Sequence, residues 1–218
     1  MKFCSSFLIL FSVLFFSCNK DDGSPQEEQE LSATNFYALK VGNSWRYEYF
    51  QRIGQTDEFE SLNAFDDVTI TGTSEVNNNT YFTFETTTSG NDGTNSSLPP
   101  NGVALKKFRD SLGYLVDEGG IIYFSTLNPN QEYLRKEGVG FDSYGLLKES
   151  LESLNTPAGN FICSVNVWFG KLEDGSKAPF RDYNIYSEEI GQIKTTYSFA
   201  SVPLYRAERI LVSYDLNN

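Results

Sequence analysis

The chain has 218 residues, a formal net charge of −12 and no histidine. Without His there is no Ser-His-Asp or Cys-His catalysis and no His-ligated zinc, so any chemistry falls to carboxylates, Lys, Tyr and oxygen-bound metals. The acidic balance repels phosphate backbones, so nucleic acid is not an expected partner, and it supplies no polybasic patch for an anionic headgroup surface.

The chain opens with Lys2, an apolar run from Phe7 to Phe16 broken by Ser12, and then Ser17-Cys18. A basic start, a short apolar run and a small residue before the cut form a secretory signal peptide over residues 1–17. The run is about ten residues, well short of the ~18 that a membrane span needs. Cys18 at the cut resembles the lipobox of bacterial lipoproteins, with Phe15 where the usual pattern has Leu. The resemblance implies lipidation of Cys18, and several acyl chains on one residue hold a protein to a membrane without a spanning helix. Lys20-Asp21-Asp22 resembles the export signal of surface lipoproteins in the Bacteroidetes. Residues 18–32 are polar and acidic around Gly23-Ser24-Pro25 and read as a disordered tether. Residues 33–218 read as a single β domain.

Gly42-Asn43 is a turn signal, and after it Trp45, Tyr47 and Tyr49 alternate with Arg46 and Glu48. That period of two predicts a strand with its aromatic face buried. Asn77-Asn78-Asn79 predicts a hairpin tip between strands near 67–76 and 80–88. Residues 90–102 predict a long surface loop, and short strands are expected near 103–109, 114–117 and 121–125. Over 128–155 the pattern is weak. Leu147, Leu151 and Leu154 fit helical spacing, but residues 150–155 fit a strand as well, and a strand after an upstream loop or helical turn is the preferred reading. The strand at 160–169 is the clearest, with Phe161, Cys163, Val165, Val167 and Phe169 on one face and Ile162, Ser164, Asn166 and Trp168 on the other. Strands near 183–187, 192–199 and 204–214 complete about ten. Short turns favour antiparallel neighbours. The expected fold is mainly β with little helix, a curved antiparallel sheet or partly open barrel.

Cys4 leaves with the signal and Cys18 takes lipid, so Cys163 stands alone and reads as a buried, unreactive thiol. Asp66-Asp67 and Glu188-Glu189 are adjacent acids, and strand neighbours point to opposite faces, so neither pair is a catalytic dyad. Asn91-Asp92-Gly93 and Glu173-Asp174-Gly175 lack the alternating acids of a calcium loop. No catalytic residue, metal or cofactor is assigned. Asp110-Ser111-Leu112 matches the Asp-Ser/Thr-hydrophobic sequence used for O-glycosylation in the Bacteroidetes, making Ser111 a candidate, although an ordinary turn accounts for the same residues. The aromatics Trp45, Tyr47, Tyr49, Trp168, Tyr183, Tyr186 and Tyr197 suit core packing, or a ligand platform if a concavity exposes them.

Three segments together, Tyr37 to Tyr47, Thr156-Pro157-Ala158-Gly159-Asn160-Phe161 and Tyr186 to Lys194, resemble a class of uncharacterised Bacteroidetes surface lipoproteins. Glu189 departs from the pattern, which tends to have Gly there. The resemblance implies a domain like the half-barrel of lipoprotein carriers, wrapping an apolar concavity, with no catalytic residues. The expectation is therefore a non-enzymatic lipoprotein, anchored in the outer membrane through acyl chains on Cys18 and facing the cell exterior, binding an apolar or glycan ligand. The alternative is an accessory interaction protein of a surface complex.

Overall fold

A computed structural model describes residues 35–95 and 98–217. The strands are β1 (Ser44–Arg52), β2 (Phe59–Val76), β3 (Asn79–Ser89), β4 (Gly102–Ser111), β5 (Tyr114–Asp117), β6 (Ile122–Ser125), β7 (Glu132–Lys136), β8 (Asp142–Leu147), β9 (Glu152–Thr156), β10 (Gly159–Lys171), β11 (Asp182–Ser187), β12 (Gly191–Tyr197) and β13 (Ala207–Asp215). No helix occurs among the described residues. All pairings are antiparallel, in the order β6-β5-β4-β3-β2-β1-β13-β12-β11-β10-β8-β7, with β9 paired to β10 beside this path. The sheet curls into a nearly closed barrel whose two ends, β6 and β7, leave one seam.

The fold is all-β, as the sequence implies, with thirteen strands rather than about ten. The strand expected at 150–155 is present as β9, but the stretch upstream of it, read as a loop or helical turn, instead forms β7 and β8. Leu147 ends β8, Leu151 lies in the following turn and Leu154 sits in β9, so their helical spacing is coincidental. Asn77 and Asn78 both adopt positive φ, as a tight hairpin between right-twisted strands requires. Glu189 has φ of 61°, a backbone region that glycine enters without steric cost. Glu189 thus occupies a backbone conformation that favours glycine.

The seam is held by side chains in place of a backbone ladder. Asn166 of β10 accepts from the Ser125 N–H and donates to the Ser125 carbonyl, both at 3.0 Å. Asn184 of β11 donates to the Tyr123 carbonyl at 2.8 Å. Arg135 of β7 donates through Nε to the Ile122 carbonyl at 2.9 Å. An edge strand buried without such partners would leave its peptide groups desolvated and unpaired. Tyr133 also reaches Asn166 with its hydroxyl. Its ring covers Gly145, where a Cβ would come within 2.3 Å of the Tyr133 Cζ. The missing side chain on β8 is thus what lets Tyr133 lie flat and reach the seam.

Candidate functional site

The barrel encloses a cavity of about 530 Å³, within the usual range of about 300–1,000 Å³ for small-ligand sites. Directly opposed strand residues share a face, so the register identifies the walls. Trp45 pairs with Val68 and Tyr47 with Asp66 between β1 and β2. Val68 pairs with Thr86 and Asp66 with Thr88 between β2 and β3. Thr86 pairs with Ala104 and Phe84 with Lys106 between β3 and β4. All these side chains line the cavity.

Five cavity-lining aromatics form a continuous arc. Trp45 stacks on Phe84 at 6.0 Å between centroids, Phe84 meets Phe108 edge-on at 5.2 Å, Phe108 meets Tyr123 at 4.9 Å, and Tyr123 meets Trp168 at 6.4 Å. Such edge-on and stacked contacts add to the burial energy of each ring. The arc runs from β1 through β3, β4 and β6 to β10, so its last contact crosses the seam. Both tryptophans of the chain stand at its ends.

A polar chain crosses the same interior. Asp66, 1% exposed, accepts from the Tyr49 hydroxyl and the Thr88 hydroxyl, each at 2.7 Å, and from Arg209 at 2.6 Å. The Arg209 guanidinium lies 4.3 Å from the centre of the Tyr47 ring and also donates to Gln192. Gln192 donates to Asn184 at 2.6 Å, which leads to the seam through the Tyr123 carbonyl. Asp66 is the single carboxylate among the described lining residues, and it is fully engaged. A pair of free carboxylates, which glycoside hydrolysis needs, is not assembled there. Burial pushes the phenols of Tyr47, Tyr49 and Tyr186 well above their ordinary value, so they stay neutral. No cluster of three or more potential metal ligands occurs among the described residues.

Of the seven aromatics singled out in the sequence, Trp45, Tyr47, Tyr49, Trp168, Tyr186 and Tyr197 line the cavity and Tyr183 does not. Tyr183 pairs with Val167, on the opposite face of β10 from Trp168. Both faces of β10 are used. Phe161, Cys163 and Val165 pack in a cluster with Ile185, Ile193 and Leu211, while Trp168 turns to the cavity and Asn166 is fully buried at the seam. Cys163 is fully buried, and burial pushes its thiol up to about 11. Asp66 and Asp67 do point apart, Asp67 pairing at the surface with Arg46 at 2.7 Å. The loop at 90–102 differs from expectation. It is not wholly at the surface, because Leu98 is buried against Tyr49 and Ala64, and Leu98 and Pro99 both line the cavity. Asn91 donates to the Pro99 carbonyl at 2.7 Å and fixes that inward fold.

Ser111 ends β4 and is half-buried beside a turn in which Asp110 accepts from the Gly113 N–H at 2.7 Å. The neighbouring Leu112 is 92% exposed. Cys18, Lys20, Asp21 and Asp22 lie outside the described residues. The contributions of Phe84, Phe108, Tyr123, Asp66 and Arg209 to the cavity were not read from the sequence. Strand parity counted outward from Trp45 would have found Asp66 once the pairing was known.

No family model matches the chain, and no curated protein is significantly similar to it. Two solved structures are similar. One, from Bacteroides fragilis, is described as an exported protein with a YmcC-like fold; it is 12% identical, with a TM-score of 0.51, covering 84% of this chain and 99% of that one. The other, from Parabacteroides distasonis, is described as a lipoprotein, 14% identical, with a TM-score of 0.49 and the same coverage. At such identity the first likeness speaks for the fold alone: the chain has the architecture of the YmcC-like protein, a nearly closed antiparallel barrel.

Proposed function

We propose that the protein is a non-enzymatic lipoprotein, anchored to the outer membrane through Cys18, that holds an apolar ligand inside its barrel. The observation that carries this reading is the aromatic-lined cavity. Its rings offer apolar area, while its polar groups are largely engaged with one another. A glycan would need free donors and acceptors along its length, so the balance favours an apolar ligand over a sugar. The exported Bacteroides fragilis protein of similar fold supports export. The signal-peptide reading of residues 1–17 and the export signal Lys20-Asp21-Asp22 support outward display. The accessory-protein alternative has Val103 and Leu105 in its favour, exposed side by side on the outer face of β4, but two residues form a patch smaller than a docking interface.

Both tryptophans line the cavity, so the whole Trp emission reports on it. Titration with N-phenyl-1-naphthylamine should give saturable energy transfer from Trp to the probe, and Ala104→Phe, which fills the cavity, should weaken it. Absence of transfer, or transfer indifferent to Ala104→Phe, refutes the reading.

A further inference from the structure

The cavity is asymmetric in its unused polar groups. The Arg209 charge is neutralised by Asp66 at 2.6 Å. Lys106 is the other cation among the described lining residues, and it makes no ion pair; its Nζ lies 5.5 Å from the centre of the Tyr123 ring. The contrast with its neighbour is sharp, since Lys107 on the opposite face of β4 pairs with Glu118 at 3.0 Å. Against the same Tyr123 ring stands Trp168, whose indole N–H is buried and finds no acceptor among the described residues. A buried donor without a partner loses its hydration and regains nothing. Two carboxyls lie beside this corner and both are engaged: Asp117 is hydrogen-bonded to Tyr123 and accepts from the Gly119 and Ile121 N–H groups at 3.0 and 2.9 Å, and Asp182, opposite Trp168 in the β10–β11 register, accepts from the Ser198 and Thr196 hydroxyls at 2.7 and 3.3 Å. Arg135 lies over the Trp168 ring, 3.3 Å from its centre, and adds positive potential on that side. Lys106 is exposed, so this corner opens to solvent, while Trp45, Tyr47 and Tyr49 at the other reach of the lining are buried.

We infer that the ligand is a single-chain anionic amphiphile of the fatty-acid type. Its chain lies along the aromatic arc, and its carboxylate sits at the Tyr123 corner, paired with Lys106 and accepting from the Trp168 indole N–H. One ammonium and one neutral N–H match a monoanion with two acceptor oxygens. The flexible stem of Lys106 lets its charge follow the head. The chain demands apolar walls and the head demands donors beside them, and the cavity presents both, with the Lys106 ammonium at the open end and the buried Trp168 N–H against the same Tyr123 ring. This inference rests on the apolar-ligand reading above.

The test uses three probes with one chain and different heads, dodecanoate, 1-dodecanol and dodecyltrimethylammonium, each titrated into the purified protein below its aggregation threshold and followed by Trp emission and calorimetry. Dodecanoate should bind about tenfold more tightly than dodecanol, the advantage of one charge-assisted hydrogen bond, and the cationic probe should bind weakest. Lys106→Met keeps the apolar stem and should abolish the advantage of dodecanoate while leaving dodecanol unchanged. Trp168→Phe keeps the ring, removes the N–H, and should weaken dodecanoate several-fold relative to dodecanol. Equal binding of dodecanoate and dodecanol, preference for the cation, or a dodecanoate preference that survives Lys106→Met overturns the inference and leaves the apolar cavity standing. Failure of all three probes to bind overturns both.

Discussion

Removal of the Asp66 carboxylate tests the polar chain that braces the barrel interior. Asp66→Ala leaves Arg209 as a charge with 15% of its side chain exposed and its carboxylate partner gone, and it takes the acceptor from the Tyr49 and Thr88 hydroxyls. Breaking a buried pair from one side costs about 3–5 kcal/mol. For a chain of this size each kcal/mol lowers the midpoint by about 2–4 °C, so a fall on the order of 10 °C is expected. The total stability of a domain is only about 5–15 kcal/mol, so the variant should be marginal but folded. Arg209→Met keeps much of the apolar stem and leaves Asp66 with its two hydroxyl donors, so it should cost less. The decisive measurement is the double variant in urea unfolding followed by Trp emission. With the unpaired charge gone, it should be no less stable than Asp66→Ala alone, giving a coupling of about 2 kcal/mol or more. A cost below about 1 kcal/mol for Asp66→Ala, or additive single costs, would refute the buried pair as a structural brace.

Five further outcomes are expected. Burial raises the Asp182 carboxyl to about 6, against hydrogen bonds from Ser198 and Thr196 that lower it. The unfolded chain therefore loses this proton at lower pH than the folded one, so the stability contributed by Asp182 falls as pH rises from about 4 to 6. Asp182→Asn should accordingly be more stable than the parent at pH 7–8, by on the order of 1 kcal/mol, with the gain vanishing near pH 4 in calorimetric melts; a gain that grows on acidification contradicts the assignment. Asn166→Ala strips partners from the Ser125 N–H and carbonyl and should cost about 2–4 kcal/mol in urea unfolding, whereas a cost near zero would mean that the seam is closed by something else. Native protein should react with a thiol reagent far more slowly than the denatured chain, because Cys163 is fully buried; equal rates would count against that burial. Cys18→Ala should move the protein out of the detergent phase on partitioning, and replacing Lys20, Asp21 and Asp22 with Ala should leave the melting midpoint unchanged while shielding the protein from protease on whole cells. Persistence in the detergent phase would defeat the lipid anchor, and persistent surface digestion the export signal.

Much of the fold was legible because a strand writes its period into the chain. Trp45, Tyr47 and Tyr49 alternate with polar residues, and all three are buried as that alternation implies. Asn77-Asn78 and Thr156-Pro157-Ala158-Gly159 state their turns through φ preferences that act within a few residues. The stretch over 128–155 was less legible because β7, β8 and β9 are short and partly exposed, so the apolar code that would separate strand from helix is sparse. Its three leucines then fitted both periods.

The alternation of side chains, the turns, the lone thiol and the absence of His are local properties, and the sequence alone determined them. Which strands meet is not local. Asp66 and Arg209 lie 143 positions apart and join only because β1 pairs with β2 on one side and β13 on the other. The seam depends on Asn166, Asn184 and Arg135 reaching β6 from three strands that do not pair with it. The cavity itself depends on parity around the whole ring, since a shift of one residue in any register turns a lining side chain outward. Bulges make such shifts within β1, β11 and β13 pairings, and no pattern along a single strand records where its neighbour's bulge will fall.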